Sequence, residues 1–231
     1  EDAFAWAQLA DALGVSYRDA QLGDGLPAEL LGLPRATIDQ AASASTVVLL
    51  GPDIKEELPV LYLRLRDAAQ EGRSKLIEIT ANDTGLSRYA WKQVRHQPGL
   101  QADAVIELLG VAEIRGQRDA GDVVIVAGRG NLAEAADATV AALAALLDAL
   151  PGASVLPALR RGNVVGALSV GLAPADADHD GLATLQAAAD GKLDALILLG
   201  ADPLNDCPDA DLARRALAGV RRIISVDTHP T

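Results

Sequence analysis

Val47-Val48-Leu49-Leu50-Gly51-Pro52-Asp53 is a short apolar run that stops at a glycine and meets an acid two residues later. The design returns as LILLGADP at 196–203, and a variant, VVIVAGRGN at 123–131, carries two glycines and an asparagine. Apolar runs of this length, bounded by turn residues, are the pattern of strands buried on both faces of a parallel sheet. At the carboxyl edge of such a sheet, a strand-to-glycine turn can offer backbone N–H groups to the phosphates of a dinucleotide. Each loop taken alone is equally explained by the need for glycine where a strand turns into a helix.

Working outward, Trp6, Leu9, Ala10 and Leu13 share one helical face, so a helix is expected over 2–13 with Gly14 as its stop. Residues 15–44 are expected to be irregular, punctuated by Gly23, Gly25, Pro27, Gly32 and Pro34. After a strand at 45–50, Asp53 and Glu56 form a capping-box pattern, and Pro59 places the helix body at 58–71. KLIEIT at 75–80 is the next strand, which makes a βαβ unit with a right-handed crossover. Residues 81–118 are mixed and polar, with a short helix near 101–109.

From Asp122 the pattern repeats. A strand at 123–127 leads to Asn131 and Glu134, a second capping signature, and then to the apolar steps Leu132, Ala136, Val140, Leu143, Leu147 and Leu150 of an amphipathic helix. A strand at 154–157, a loop-rich stretch at 160–181, a helix at 182–190, a strand at 193–199, a helix at 209–218 and a strand at 222–226 follow. The expected fold is α/β, with two Rossmann-like subdomains, mainly parallel sheets and helices on both faces. The first would span 1–115, with a helical entry at 1–44 and the βαβ unit at 45–80. The second would span 120–231 and be incomplete at its C-terminus, the two meeting near 110–121.

Half of the 231 residues are apolar and only 3% are aromatic, so the core must be built from Ala, Leu, Val and Ile. A net charge of −12 with scattered basic pairs argues against a nucleic-acid partner, which requires clustered Lys and Arg. The single cysteine, Cys207, rules out an intrachain disulfide or a four-cysteine metal site. The longest apolar run, 138–147, is about half the ~20 residues that a bilayer requires, so no membrane span is expected. The chain lacks Met and begins with Glu1, which suggests an internal piece of a longer protein.

Signals for catalysis are sparse. Gly128, Gly130 and Ala133 approximate G-x-G-x-x-G, but no acid ends the following strand. Asp176, Asp178, His179 and Asp180 precede Gly181, yet position 187 is Ala, where a calcium loop would place a bidentate Glu. His96 and His229 stand alone in sequence, and no serine sits in G-x-S-x-G. No catalytic residue and no metal site are expected.

The ordered set is TVVLLGPDIKEELPVLYLRLRDAAQEGRSKLIEIT at 46–80, QPGLQADAVIELL at 97–109, GRGNLAEAADATVAALAALL at 128–147, GNVVGALSVGLAP at 162–174 and LDALILLGADPLNDCPDADLARRAL at 193–217. It resembles the molybdopterin-oxidoreductase superfamily, and within it the G-subunit family of bacterial NADH-quinone oxidoreductases (respiratory complex I). GALSVGLAP favours that branch over formate dehydrogenases. The resemblance implies that Gly51, Asp53, Gly128, Gly200 and Asp202, with Pro203, stand where relatives hold a molybdopterin guanine dinucleotide. Two departures make these positions vestigial candidates. Thr80 replaces an acid that often reads a guanine, and Asp202 brings a negative charge towards a phosphate-rich ligand.

The resemblance therefore implies a structural domain that supports electron transfer from NADH to quinone and carries no cofactor itself. Iron–sulfur clusters would lie elsewhere in the parent protein. Its partners would be the other subunits of the peripheral arm, on the cytoplasmic side of the inner membrane. Two alternatives stay open: a cofactor-binding fragment of a molybdopterin guanine dinucleotide-dependent dehydrogenase such as formate dehydrogenase, and a generic nucleotide-binding α/β domain.

Overall fold

The computed structural model describes residues 2–23, 25–119 and 121–228. In chain order the elements are α1 (Asp2–Leu13), α2 (Ile38–Ser43), β1 (Thr46–Leu50), α3 (Ile54–Glu57), α4 (Pro59–Gln70), β2 (Lys75–Thr80), β3 (Lys92–Arg95), α5 (Gln101–Leu109), α6 (Ala112–Arg115), β4 (Val123–Ala127) and α7 (Ala136–Ala149). There follow β5 (Ser154–Pro157), α8 (Val164–Ser169), α9 (Gly181–Ala189), β6 (Ala195–Leu199), α10 (Pro203–Asp206), α11 (Ala210–Gly219) and β7 (Arg222–Val226). The fold is α/β, and every strand pairing in it is parallel.

The chain forms two compact units, Asp24–Gly162 and a second made of Glu1–Gly23 with Asn163–Thr231. In the unit spanning 24–162 the strand order is β3-β2-β1-β4-β5. All five residues of β1 and of β4 are buried, as their unbroken apolar runs require. One face of the sheet, with Val48, Leu50, Ile77, Ile79 and Ile125, packs on Ala104, Val105 and Leu108 of α5 and on Ala142, Leu143 and Leu146 of α7. The other face, with Val47, Leu49, Leu76, Val124 and Val126, packs on Ala41 of α2 and on Leu61 and Leu65 of α4. Helices thus cover both faces, and the order in which strands are added to the sheet reverses between β1 and β4.

The expected break near 110–121 falls inside this unit. β4 pairs with β1 from Thr46↔Val123 to Leu50↔Ala127, so 123–127 extends the sheet begun by β1–β3 rather than opening a new one. α2 lies in the stretch expected to be irregular. Thr37 caps it with a complete capping box, its Oγ1 accepting Gln40 N–H at 3.1 Å and Gln40 Oε1 accepting Thr37 N–H at 2.7 Å. β3 was hidden in a polar stretch because it is an edge strand, KQVR, half exposed along its length.

In the other unit, β6 and β7 pair in parallel as a two-stranded sheet. Leu196 of β6 packs with Leu185 and Ala188 of α9 and Leu212, Ala213 and Ala216 of α11, a core that also contains Cys207. The helices meet closely: a Cβ on Gly219 would lie 2.3 Å from the Ala188 carbonyl oxygen. Asp19 ties the N-terminal segment to α9, accepting Gly181 N–H at 2.8 Å and Gln21 N–H at 3.1 Å.

Burial pushes the Asp19 carboxyl above its ordinary range, against those N–H groups, and Asp180 adds to the rise. The folded state therefore holds the Asp19 proton more tightly than the unfolded chain does. Its contribution to stability is full below the ordinary carboxylate value and is lost as pH rises through the folded one. Asp19→Asn lacks this titration. Its stability relative to the parent should climb as pH rises across that window and then level off, as read by urea unfolding at a series of pH values. A difference independent of pH would contradict this.

Candidate functional site

The loops after β1, β4 and β5 meet at the carboxyl edge of the five-stranded sheet, beside the point where the strand order reverses. Hydrogen bonding runs on past the strand ends. Gly128 N–H donates to Leu50 O at 2.8 Å, and Ala158 N–H to Ala127 O at 2.6 Å. The glycines allow this approach. A Cβ on Gly51 would lie 2.9 Å from Gly128 N, and one on Gly128 would lie 2.3 Å from Ala158 O and 2.9 Å from Pro52 Cδ.

Asp53 does two structural tasks. Its Oδ1 accepts Lys55 N–H at 3.0 Å, capping α3, and its Oδ2 accepts Gly85 N–H at 3.1 Å, tying down the loop after β2. At the end of β2, Thr80 Oγ1 donates to Asn82 O at 2.8 Å and accepts from Arg95 Nη1 at 2.7 Å. Beneath it, Glu78 is fully buried. It accepts from Ser87 Oγ at 2.6 Å, from Arg95 Nη1 at 3.1 Å and from Thr84 Oγ1. Arg95 reaches Asp83 at 2.6 Å as well. Partial burial works against the Arg95 charge, but its hydrogen bonds to Asp83 and Glu78 outweigh this and hold the guanidinium more firmly protonated than usual. The sequence held one signal for this network, an acid inside the apolar strand KLIEIT.

Gly51, Asp53 and Gly128 come together at this edge of the unit spanning 24–162, while Gly200 and Asp202 belong to the other unit, after β6. Gly200 adopts φ +54° and its N–H donates to Val226 O at 2.9 Å. Asp202 caps α10 through Leu204 N–H at 3.1 Å and accepts from Asn205 Nδ2 at 2.5 Å, with Pro203 in the first turn.

Asn131 and Glu134 do not start α7, which begins only at Ala136. Glu134 instead turns its buried carboxylate to α5, earlier in the chain, accepting Gly99 N–H at 2.8 Å and Gln101 N–H at 3.0 Å at that helix's start. Arg129 braces the same loop, its Nε donating to Glu134 O at 2.7 Å and its Nη2 to Leu132 O at 3.0 Å. A cleft of about 100 Å³ remains, lined by Pro52, Arg129, Gly130, Asn131, Ala158 and Arg160 among others. Ligand pockets are commonly on the order of 300–1,000 Å³.

Asp176 and His179 form a local pair at 2.6 Å, and the His179 ring holds the Asp176 carboxyl below its usual range. Among the described residues no group of three or more His, Cys, Asp or Glu could hold a metal ion. His229 lies outside the described residues. No helix among the described residues is long and apolar enough to cross a membrane.

Residues 9–231 match the sequence profile of the family described as molybdopterin oxidoreductase. The chain belongs to the molybdopterin oxidoreductase family. Among curated relatives, the NADH-quinone oxidoreductase G subunit of Mycobacterium bovis is 31% identical over 264 residues, covering 98% of this chain and 32% of the relative. The Streptomyces coelicolor G subunit is 28% identical, covering 97% and 31%. The NADPH-Fe(3+) oxidoreductase alpha subunit of Geobacter sulfurreducens is 23% identical, covering 100% and 37%. The chain thus spans about a third of the length of these relatives. A chain of the formyltransferase/hydrolase complex from Methylorubrum extorquens shares the fold, with a TM-score of 0.59 at 16% identity, covering 98% of this chain and 66% of that one.

In this family member the switch-point glycines serve close packing, which a substitution can test. Gly128→Ala must push its new methyl against the Ala158 carbonyl and should cost about 1–3 kcal/mol in urea unfolding. Gly32→Ala, which meets nothing within 4 Å, should stay within about 0.5 kcal/mol of the parent. Equal effects would overturn the packing account.

Proposed function

We propose that this chain is a structural α/β domain from the G subunit of an NADH-quinone oxidoreductase. It supports electron transfer from NADH to quinone without holding a redox centre. Its partners are other subunits of the peripheral arm, on the cytoplasmic side of the inner membrane, and the iron–sulfur clusters belong to the longer parent protein. The observation that carries this reading is the inward use of the donors at the implied cofactor positions. Gly128 N–H and Gly200 N–H both donate to neighbouring strand ends, at 2.8 and 2.9 Å, so neither is turned towards a pyrophosphate. The carboxylates of Asp53 and Asp202 are committed to helix caps. Likeness to the G subunits along almost the whole chain supports the same reading. Within each unit these residues do not fit a molybdopterin guanine dinucleotide.

Family membership itself favours a second reading, a cofactor-binding fragment of a molybdopterin guanine dinucleotide-dependent dehydrogenase such as formate dehydrogenase. The longer parent protein separates the two. Elemental analysis of the purified parent should find iron but no stoichiometric molybdenum, and oxidation should release no fluorescent pterin. One molybdenum and its pterin per chain would sink the structural reading and establish the second.

A further inference from the structure

The unit spanning 24–162 is inserted into the other, so the chain passes between the two twice, at 23–24 and at 162–163. Both passages are short. Leu22 packs on the core that holds Leu185, Leu196 and Leu212. A Cβ on Gly23 would lie 2.7 Å from the Leu182 side chain, so α9 holds the chain up to that point. Leu26 is already 1% exposed in the core of the five-stranded sheet, and only Asp24 and Gly25 stand between. On the return, Ala158 and Leu159 still belong to the cores of that sheet, and Val164 is buried in the first turn of α8. Arg160, Arg161, Gly162 and Asn163 join them.

The backbone at these passages is set apart from the rest of the chain. Among the described residues only two that are not glycine have a positive φ, Leu22 at +49° and Asn163 at +59°, and each borders a passage. Gly23 follows Leu22 at +77°. Glycine takes the left-handed region freely and Asn tolerates it, whereas a bulky Leu adopts it only under constraint. Outliers of this kind gather at segments that switch, and hinges are built from a few such residues at the ends of elements. Gly25 and Arg160 line the same cleft at the carboxyl edge of the sheet, so the two passages leave that unit side by side.

We infer that residues 22–25 and 160–163 form a two-strand hinge, about which the two units turn as rigid bodies. The cores on either side fix where the moving parts begin, since Leu26 and Leu159 belong to one and Leu22 and Val164 to the other. Two short strands side by side permit rotation and resist separation, which a single linker would not do. Motion of one unit against the other is the ordinary expectation for units joined in this way. The inference holds under either reading of the function.

Distances between pairs of spin labels, measured by double electron–electron resonance on the 231-residue chain in a Cys207→Ala background, provide the test. Labels at the exposed positions Asp148 and Arg214 report across the units, and the pairs Glu71 with Asp148 and Lys192 with Arg214 report within one unit each. The cross-unit distribution should be wider than both others. Asn163→Gly, which frees the second passage, should widen it further. Gly162→Ala should narrow it, since Gly162 lies outside the left-handed region and an added Cβ there meets nothing within 4 Å. Gly32→Ala, also in open space but outside both passages, should leave the width unchanged. A cross-unit distribution no wider than the within-unit ones overturns the hinge. So does a wide one that neither hinge variant alters, or that Gly32→Ala alters as much.

Discussion

The parallel register that β1 holds with two neighbours at once sets the terms for everything around it. Val48 lies level with Ile77 on one side and Ile125 on the other. Side chains alternate along a strand, so this register sends Val48, Ile77 and Ile125 to one layer and Val47, Leu76 and Val124 to the other. Both layers are apolar, so hydrophobic burial alone would tolerate β2 slipping by one residue. Glu78 would not tolerate it. Only on the face it shares with Leu76 does its carboxylate meet Ser87, Thr84 and Arg95. A buried acid without those donors would cost several kcal/mol by the general penalty for stranded charge, roughly 3–5 kcal/mol.

Level strands have level ends, and that brings the glycine loops together. Leu50 and Ala127 face each other at the edge, so the residues after them must pass at backbone distance. Gly51 and Gly128 fit because neither has a side chain to place between them. The pattern that reads as a phosphate cradle in sequence is satisfied here by strand ends packed on one another. Backbone N–H groups are obligatory donors, and the ones at Gly128 and Gly200 find carbonyls within the chain.

The sequence made the alternation of strands and helices legible, because unbroken runs such as VVLL and VVIV have few alternatives to a buried parallel strand. It also marked the glycines that pack at the edge. What it hid was relational. The Asn131–Glu134 spacing looks like a cap for the helix that follows, and only the fold shows Glu134 serving the start of α5, far earlier in the chain. The grouping of strands was hidden for the same reason. Nothing local in 123–127 says that it will pair with 46–50 rather than begin a separate sheet, and β3 is too polar to announce itself. Arg95 was invisible as the partner of Glu78, since the two lie 17 positions apart on different strands, β3 and β2. By contrast, the Thr37-x-x-Gln40 box was written in plain spacing and could have been read.

Asp53 joins two segments that are distant in sequence. One carboxylate oxygen holds the first turn of α3, and the other holds the amide of Gly85 on the loop after β2. The connections that leave two neighbouring strands, β1 and β2, are thereby linked as one lever. Motion of either loop must carry the other with it or break a hydrogen bond to a charged group. A substitution at position 53 that removes the carboxylate therefore takes an acceptor from the Gly85 amide, on a loop more than thirty residues away, as well as from the start of α3.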